Sequence, residues 1–106
     1  MTDFVTVTTT TDSTEEAQRL STSAVEARLA ACGQVSSPIT STYWWQGKVE
    51  TATEFLIEFK TRASLADRLT EHLKTNHSYD TPEVVVTPIT GGNSAYLEWI
   101  AAETPS

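Results

Sequence analysis

One thiol, Cys32, and two imidazoles, His72 and His77, are the side chains of this sequence best suited to a soft or borderline transition-metal ion, which selects thiolate and nitrogen donors. Glu83 follows Pro82, six residues after His77, in the same polar loop. Each of these residues also has an ordinary reading. A histidine in a polar loop usually makes plain hydrogen bonds. A glutamate there can satisfy backbone N–H groups. Cys32 ends an alanine-rich helical face, where a buried, inert thiol is the usual case. His72 lies one turn from Arg68 and reads as a solvated helix residue. Gly91-Gly92-Asn93-Ser94 opens a helix, yet the G-x-G-x-x-G and Walker patterns are absent, so it is a weak anion motif. No nucleophile has a credible base and no cofactor loop is visible, so an enzyme is not expected.

Composition narrows the partners. Seven Lys+Arg against fourteen Asp+Glu leave a formal charge of −7. That disfavours nucleic-acid phosphates and anionic membranes as partners. With 106 residues and 39% hydrophobic content, the sequence predicts one domain over 1–106 with a single core. No apolar run is long enough to span a bilayer. Met1-Thr2-Asp3-Phe4 shows no basic stretch leading into an apolar segment, so no secretory leader is expected. A single cysteine rules out a disulfide framework within one chain and suits the cytoplasm.

The elements that must position these residues follow from hydrophobic period and caps. Phe4, Val5 and Val7 open a strand that ends in Thr8 to Thr11. Ser13 and Glu16 have capping-box spacing, and Ala17, Leu20, Ala24, Ala27 and Ala31 share one helical face. The sequence therefore predicts a helix of about 18 residues stopped at Gly33. Val35 to Trp45 reads as a second strand broken near Pro38, and Gln46-Gly47-Lys48 as a tight turn. The next strand alternates strictly from Val49 to Lys60. Ser64, with Asp67 three residues on, is expected to cap a helix carrying Leu65, Leu69 and Leu73. A polar loop from Asn76 to Glu83 leads to a buried strand, Val84-Val85-Val86, with Pro88 near its end or on an edge. Asn93 or Ser94 caps a last helix with Leu97 and Ile100, and the tail from Glu103 to Ser106 is expected to fray.

The order β-α-β-β-α-β plus a terminal helix predicts an α+β, ferredoxin-like sandwich with both main helices on one face of the sheet. Strands of about a dozen residues outrun the usual five or six, so the central hairpin must project. It carries Tyr43, Trp44 and Trp45. Neighbouring strand residues face opposite ways, so Trp44 and Trp45 cannot share one core layer. The three aromatics are expected at a subunit interface.

Several segments resemble the CutA family of divalent-cation tolerance proteins. They are Leu29-Ala30-Ala31-Cys32, Thr40 to Glu50 (TSTYWWQGKVE), Lys60-Thr61, the loop His77-Ser78-Tyr79-Asp80-Thr81-Pro82-Glu83, which is similar to H-P-Y-x-x-P-E, and the closing stretch Gly92 to Ile100. The matches occur in order over most of the chain. The resemblance implies a cytosolic homotrimer of ferredoxin-like subunits, linked to copper tolerance, whose hairpins pair with neighbouring sheets. It also implies an architecture similar to PII signalling trimers, which bind small effectors between subunits. On that alternative, Tyr79, Pro82 and Lys60 would line a ligand cleft.

The family's copper reading uses a strand-end cysteine, a helix-end histidine and the glutamate of the P-E pair. Carried onto this sequence, the first two positions fall on Thr9 and Asn76, and only Glu83 matches, with His77 one residue away. A hydroxyl and an amide are poor copper ligands. The expectation is weak binding of Cu²⁺ or another divalent cation through His77 and Glu83, fading below about pH 6 as the imidazole protonates.

Overall fold

The computed structural model describes residues 3–105. Met1 and Thr2, on which the leader reading partly rests, and Ser106 of the tail lie outside the described residues. Five strands and three helices run in the order β1 (Phe4–Thr11), α1 (Thr14–Glu26), β2 (Cys32–Val35), β3 (Ile39–Trp45), β4 (Lys48–Arg62), α2 (Ala66–Asn76), β5 (Val84–Ile89) and α3 (Ser94–Glu103). The antiparallel sheet has the order β2-β4-β1-β5, with β3 paired to β4. The expected second strand is divided at Ser36-Ser37-Pro38, and once β2 and β3 are counted as one strand the order is that of the ferredoxin-like sandwich.

The core lies between the sheet and α1 and α2. Val5, Val7, Ile57 and Phe59 meet Ala17, Leu20 and Ala24 of α1 and Leu69 and Leu73 of α2, all buried. The small alanines let α1 approach the strands closely, and Gly33 serves the same end. A Cβ there would collide with Ser21 Oγ and come within 3.0 Å of the Phe59 ring. Gly33 therefore lies inside β2 as a close-approach residue and is not the helix stop.

Helix α1 is shorter than its apolar spacing predicts, at 13 residues. Arg28 adopts φ 61°, in the left-handed region, and turns the chain. Ala30 and Ala31 are still buried, but as part of the turn into β2, so the spacing carried on after the helix had ended. Cys32 accordingly opens β2 and does not close a helix. At the second helix, Ala63–Leu65 form a 3₁₀ turn, and no side chain caps α2. Leu65, Leu69 and Leu73 are buried as expected.

Two further expectations change. Val85 and Val86 are 49% and 43% exposed in the single chain, because β5 is an edge strand with only β1 beside it. Pro88 sits in that edge, where its missing N–H costs no ladder bond. The described tail is held, not frayed: Thr104 is fully buried and donates to the Ile100 carbonyl at 2.7 Å. The Arg62 guanidinium donates to the carbonyls of Thr104 and Ala101, both at 2.7 Å, satisfying the end of α3.

The hairpin β3–β4 is an arm. β1 stops at Thr11, opposite Phe55, so β4 has no neighbour on that side beyond this pair. From Glu54, paired with Ile39, to the turn at Gln46 and Gly47, β3 and β4 form a two-stranded ribbon. Positive φ at both turn residues, 49° and 80°, matches the right-handed twist of the strands.

Candidate functional site

The loop after α2 is held from four sides. Asn76 ends the helix with its amide donating to the His72 carbonyl at 2.8 Å, while Arg19 donates to the Asn76 carbonyl at 2.9 Å. His77 then leaves in extended conformation, and its side chain is completely buried. Its Nε2 lies 2.8 Å from the Thr10 carbonyl, an acceptor only, so Nε2 carries the hydrogen. Its Nδ1 accepts the Tyr79 N–H at 3.0 Å. The partners thus assign a neutral imidazole protonated at Nε2.

Glu16 completes this pocket. Its Oε2 accepts the Ser78 N–H at 3.1 Å and stands 3.3 Å from His77 Nδ1. Nδ1 has no hydrogen to give while it accepts from Tyr79, so the second contact is not an ion pair in this state. Burial pushes the Glu16 carboxyl up, but the Ser78 hydroxyl and N–H outweigh it with the help of neighbouring groups, and the carboxyl ends below its ordinary 4.5. Only half of the expected capping box forms. Ser13 Oγ accepts the Glu16 N–H at 3.2 Å, while the Glu16 carboxylate serves the loop instead of the Ser13 N–H.

Tyr79 ties the loop to the arm. Its hydroxyl donates to Glu54 Oε2 at 2.9 Å. Burial, then that hydrogen bond and the charges of Glu54 and Asp12, raise the phenol well above its ordinary value of 10. Pro82 is half-buried and Glu83 exposed. Lys60 lies elsewhere, donating to Gln34 Oε1 at 2.6 Å and Glu58 Oε1 at 3.3 Å. It is six residues further along β4 than Glu54, about 20 Å at 3.3 Å per residue. The structure therefore joins Tyr79 to Glu54 but does not bring Lys60 to Tyr79 within one chain.

The expected metal donors do not fit a copper ion. Both ring nitrogens of His77 are engaged, and the Asn76 amide is committed to its own helix. Thr9 presents a fully buried hydroxyl with no partner among the described residues. Among the described residues Glu83 makes no hydrogen bond or ion pair to His77, and no three His, Cys, Asp or Glu side chains are grouped as a metal centre. Cys32 lies beside Tyr96, with Sγ 3.6 Å from the phenol oxygen.

His72 has a specific partner that sequence reasoning missed. It borders a shallow groove of about 500 Å³ along α2, shared with Arg68 and Asn76, and its Nε2 lies 2.9 Å from Ser23 Oγ. The Ser23 hydrogen goes to the Leu20 carbonyl at 3.2 Å, so Nε2 is the donor and Ser23 is not an activated nucleophile. Glu16 and Glu54 were also missed as loop anchors. In the sequence the first stands out only for its capping-box spacing and the second only as one position of an alternating strand, and no local signal marks either role.

The arm displays its aromatics. Trp44 is 75% exposed, Trp45 59% and Tyr43 41%, with Val49 exposed opposite Trp44. Isolated exposed apolar residues are common, but here they are gathered along one ribbon that nothing covers within the described residues.

A ferredoxin-like α+β sandwich with a projecting aromatic hairpin and a short closing helix defines the class. The family described as "CutA1 divalent ion tolerance protein" matches residues 5–103, and the chain belongs to that family. It is 52% identical over 90 residues to "Protein CutA 1, chloroplastic" of Oryza sativa subsp. japonica, covering 85% of this chain and 51% of that protein. It is 42% identical over 91 residues to "Divalent-cation tolerance protein CutA" of Archaeoglobus fulgidus, covering 86% and 88% respectively. The crystal structure of CutA1 from Oryza sativa superimposes with a TM-score of 0.95 at 47% identity, over 99% of this chain and 96% of the other. The chain thus spans about half the length of the rice relative and most of the archaeal one. No helix among the described residues is long and apolar enough to cross a membrane.

Proposed function

We propose that this chain acts as a non-catalytic homotrimer in divalent-cation tolerance, with ligand clefts between subunits. The observation that carries the proposal is the arm: a two-stranded ribbon bearing Tyr43, Trp44 and Trp45, stable only when something covers it. A second copy supplies open edges at β2 and β5 and the exposed Val85 and Val86. Such an assembly should bury several thousand Å² in total, the range of obligate interfaces.

Lys60 lies about 20 Å along β4 from Glu54, the partner of Tyr79, which favours clefts shared between copies, in the manner of PII-like trimers, with Tyr79 and Pro82 from one subunit and Lys60 from another. Divalent cations are held weakly by oxygen donors, Glu83 among them, aided by the charge of −7. The lone, partly exposed thiol of Cys32 suits a reducing compartment, and the cytoplasm is the one we propose. Light scattering coupled to gel filtration tests the assembly. A trimer mass at low micromolar concentration is expected, and a monomer mass there overturns the proposal.

A further inference from the structure

The arm joins the body at a single place. β3 pairs only with β4, and β4 loses its other neighbour after Phe55. Between β2 and β3 the chain crosses Ser36-Ser37-Pro38, where Ser36 pairs with Leu56: its N–H donates to the Leu56 carbonyl at 2.8 Å, and its Oγ accepts the Leu56 N–H at 2.9 Å. Glu54 is the next residue but one along β4 and the first beyond the reach of β1. A hinge is expected there, because a two-stranded ribbon has little bending stiffness of its own.

Tyr79 spans this hinge. Its backbone belongs to the body, since the loop is fixed by His77 to β1 and by Ser78 to Glu16 of α1. Its hydroxyl holds Glu54, the first residue of the ribbon. Asp12 and Tyr43 are the other ionisable groups close enough to act on this phenol. We propose that the Tyr79–Glu54 hydrogen bond is a clamp that sets the orientation of the arm on the body, making Tyr79 a positioning residue for the hairpin. The loop before β5 and the interface aromatics are thereby one mechanical unit. Whatever displaces Tyr79 frees the arm, and whatever fixes the arm orders the loop. The clamp lies within one chain, so it operates whether or not the trimer forms.

Hydrogen exchange read by mass spectrometry on the full chain tests it. Tyr79→Phe removes only the hydroxyl. It should speed exchange of the hairpin segment 40–53 on the order of tenfold, the effect of losing one charge-assisted hydrogen bond, and leave β1 and α1 unchanged. Glu54→Ala should do the same, the double variant should add nothing further, and Glu54→Gln, which keeps an acceptor oxygen, should restore much of the protection. Unchanged arm exchange in both single variants overturns the clamp. So does an acceleration that spreads equally through β1, which would mark general destabilisation.

Discussion

The N–H of Tyr79 donates to Nδ1 of His77 at 3.0 Å, so a residue two places along the chain occupies the nitrogen that a metal would need. The other nitrogen holds the Thr10 carbonyl, and the imidazole serves as an internal brace for the loop.

Replacing that brace should cost stability. His77→Ala leaves a buried carbonyl and an N–H without partners, and a loss of about 2–4 kcal/mol is expected in chemical denaturation. In the parent protein, calorimetric titration with Cu²⁺ and Zn²⁺ should show weak, non-stoichiometric heats that Glu83→Ala barely changes. A submicromolar, one-to-one site abolished by Glu83→Ala would mean that the loop rearranges to release the imidazole.

The aromatics of the arm should hold the assembly. Trp44→Ala and Trp45→Ala are each expected to weaken association by about 2 kcal/mol or more, as buried anchors do. The gel-filtration profile on dilution reads the effect directly. If both variants keep their mass and melting temperature, the aromatics are not at the interface.

Thr9 carries a fully buried hydroxyl with no partner among the described residues. Thr9→Val keeps the shape and removes the orphaned group, so a gain of roughly 1 kcal/mol is expected, seen as a rise of a few degrees in melting temperature. A fall instead would show that the hydroxyl is satisfied by a buried water.

Glu16 sets an acid limit. Its carboxyl is held below its ordinary 4.5, so the folded state favours the charged form. The stability it contributes is fully present above the unfolded value and drains away as pH falls through the folded one. Acid unfolding curves of the parent and Glu16→Gln should therefore diverge above about pH 5 and converge in stronger acid. Parallel curves over the whole range would show that Ser78 does not depend on this charge.

The sequence alone determined the order of elements, the antiparallel hairpin and the core. These follow from local periods: alternation from Val49 to Lys60, the four-residue spacing of Leu65, Leu69 and Leu73, and the turn at Gln46-Gly47. Such patterns are properties of one segment and its own backbone. Where they failed, another segment had intervened. Ala27 and Ala31 continue the helical spacing past Glu26, yet Arg28 turns the chain: Ala27 is exposed, and Ala31 is buried in the turn with its N–H donating to the Lys60 carbonyl, since a small apolar side chain fits a tight turn as readily as a helix face. The run Val84-Val85-Val86 had the composition of a buried strand, but its place at the sheet edge left it half-open in the single chain.

Only the tertiary structure decided the site. Glu16, Glu54, His77 and Tyr79 come from a helix start, a strand and a loop, up to 63 positions apart, and each looks ordinary where it stands. Hydrogen bonds of this range are fixed by how the elements pack, since packing alone decides which donors are left facing which acceptors. That is also why the sequence could offer His77 as a ligand, while the fold spends both of its nitrogens on holding a loop in place.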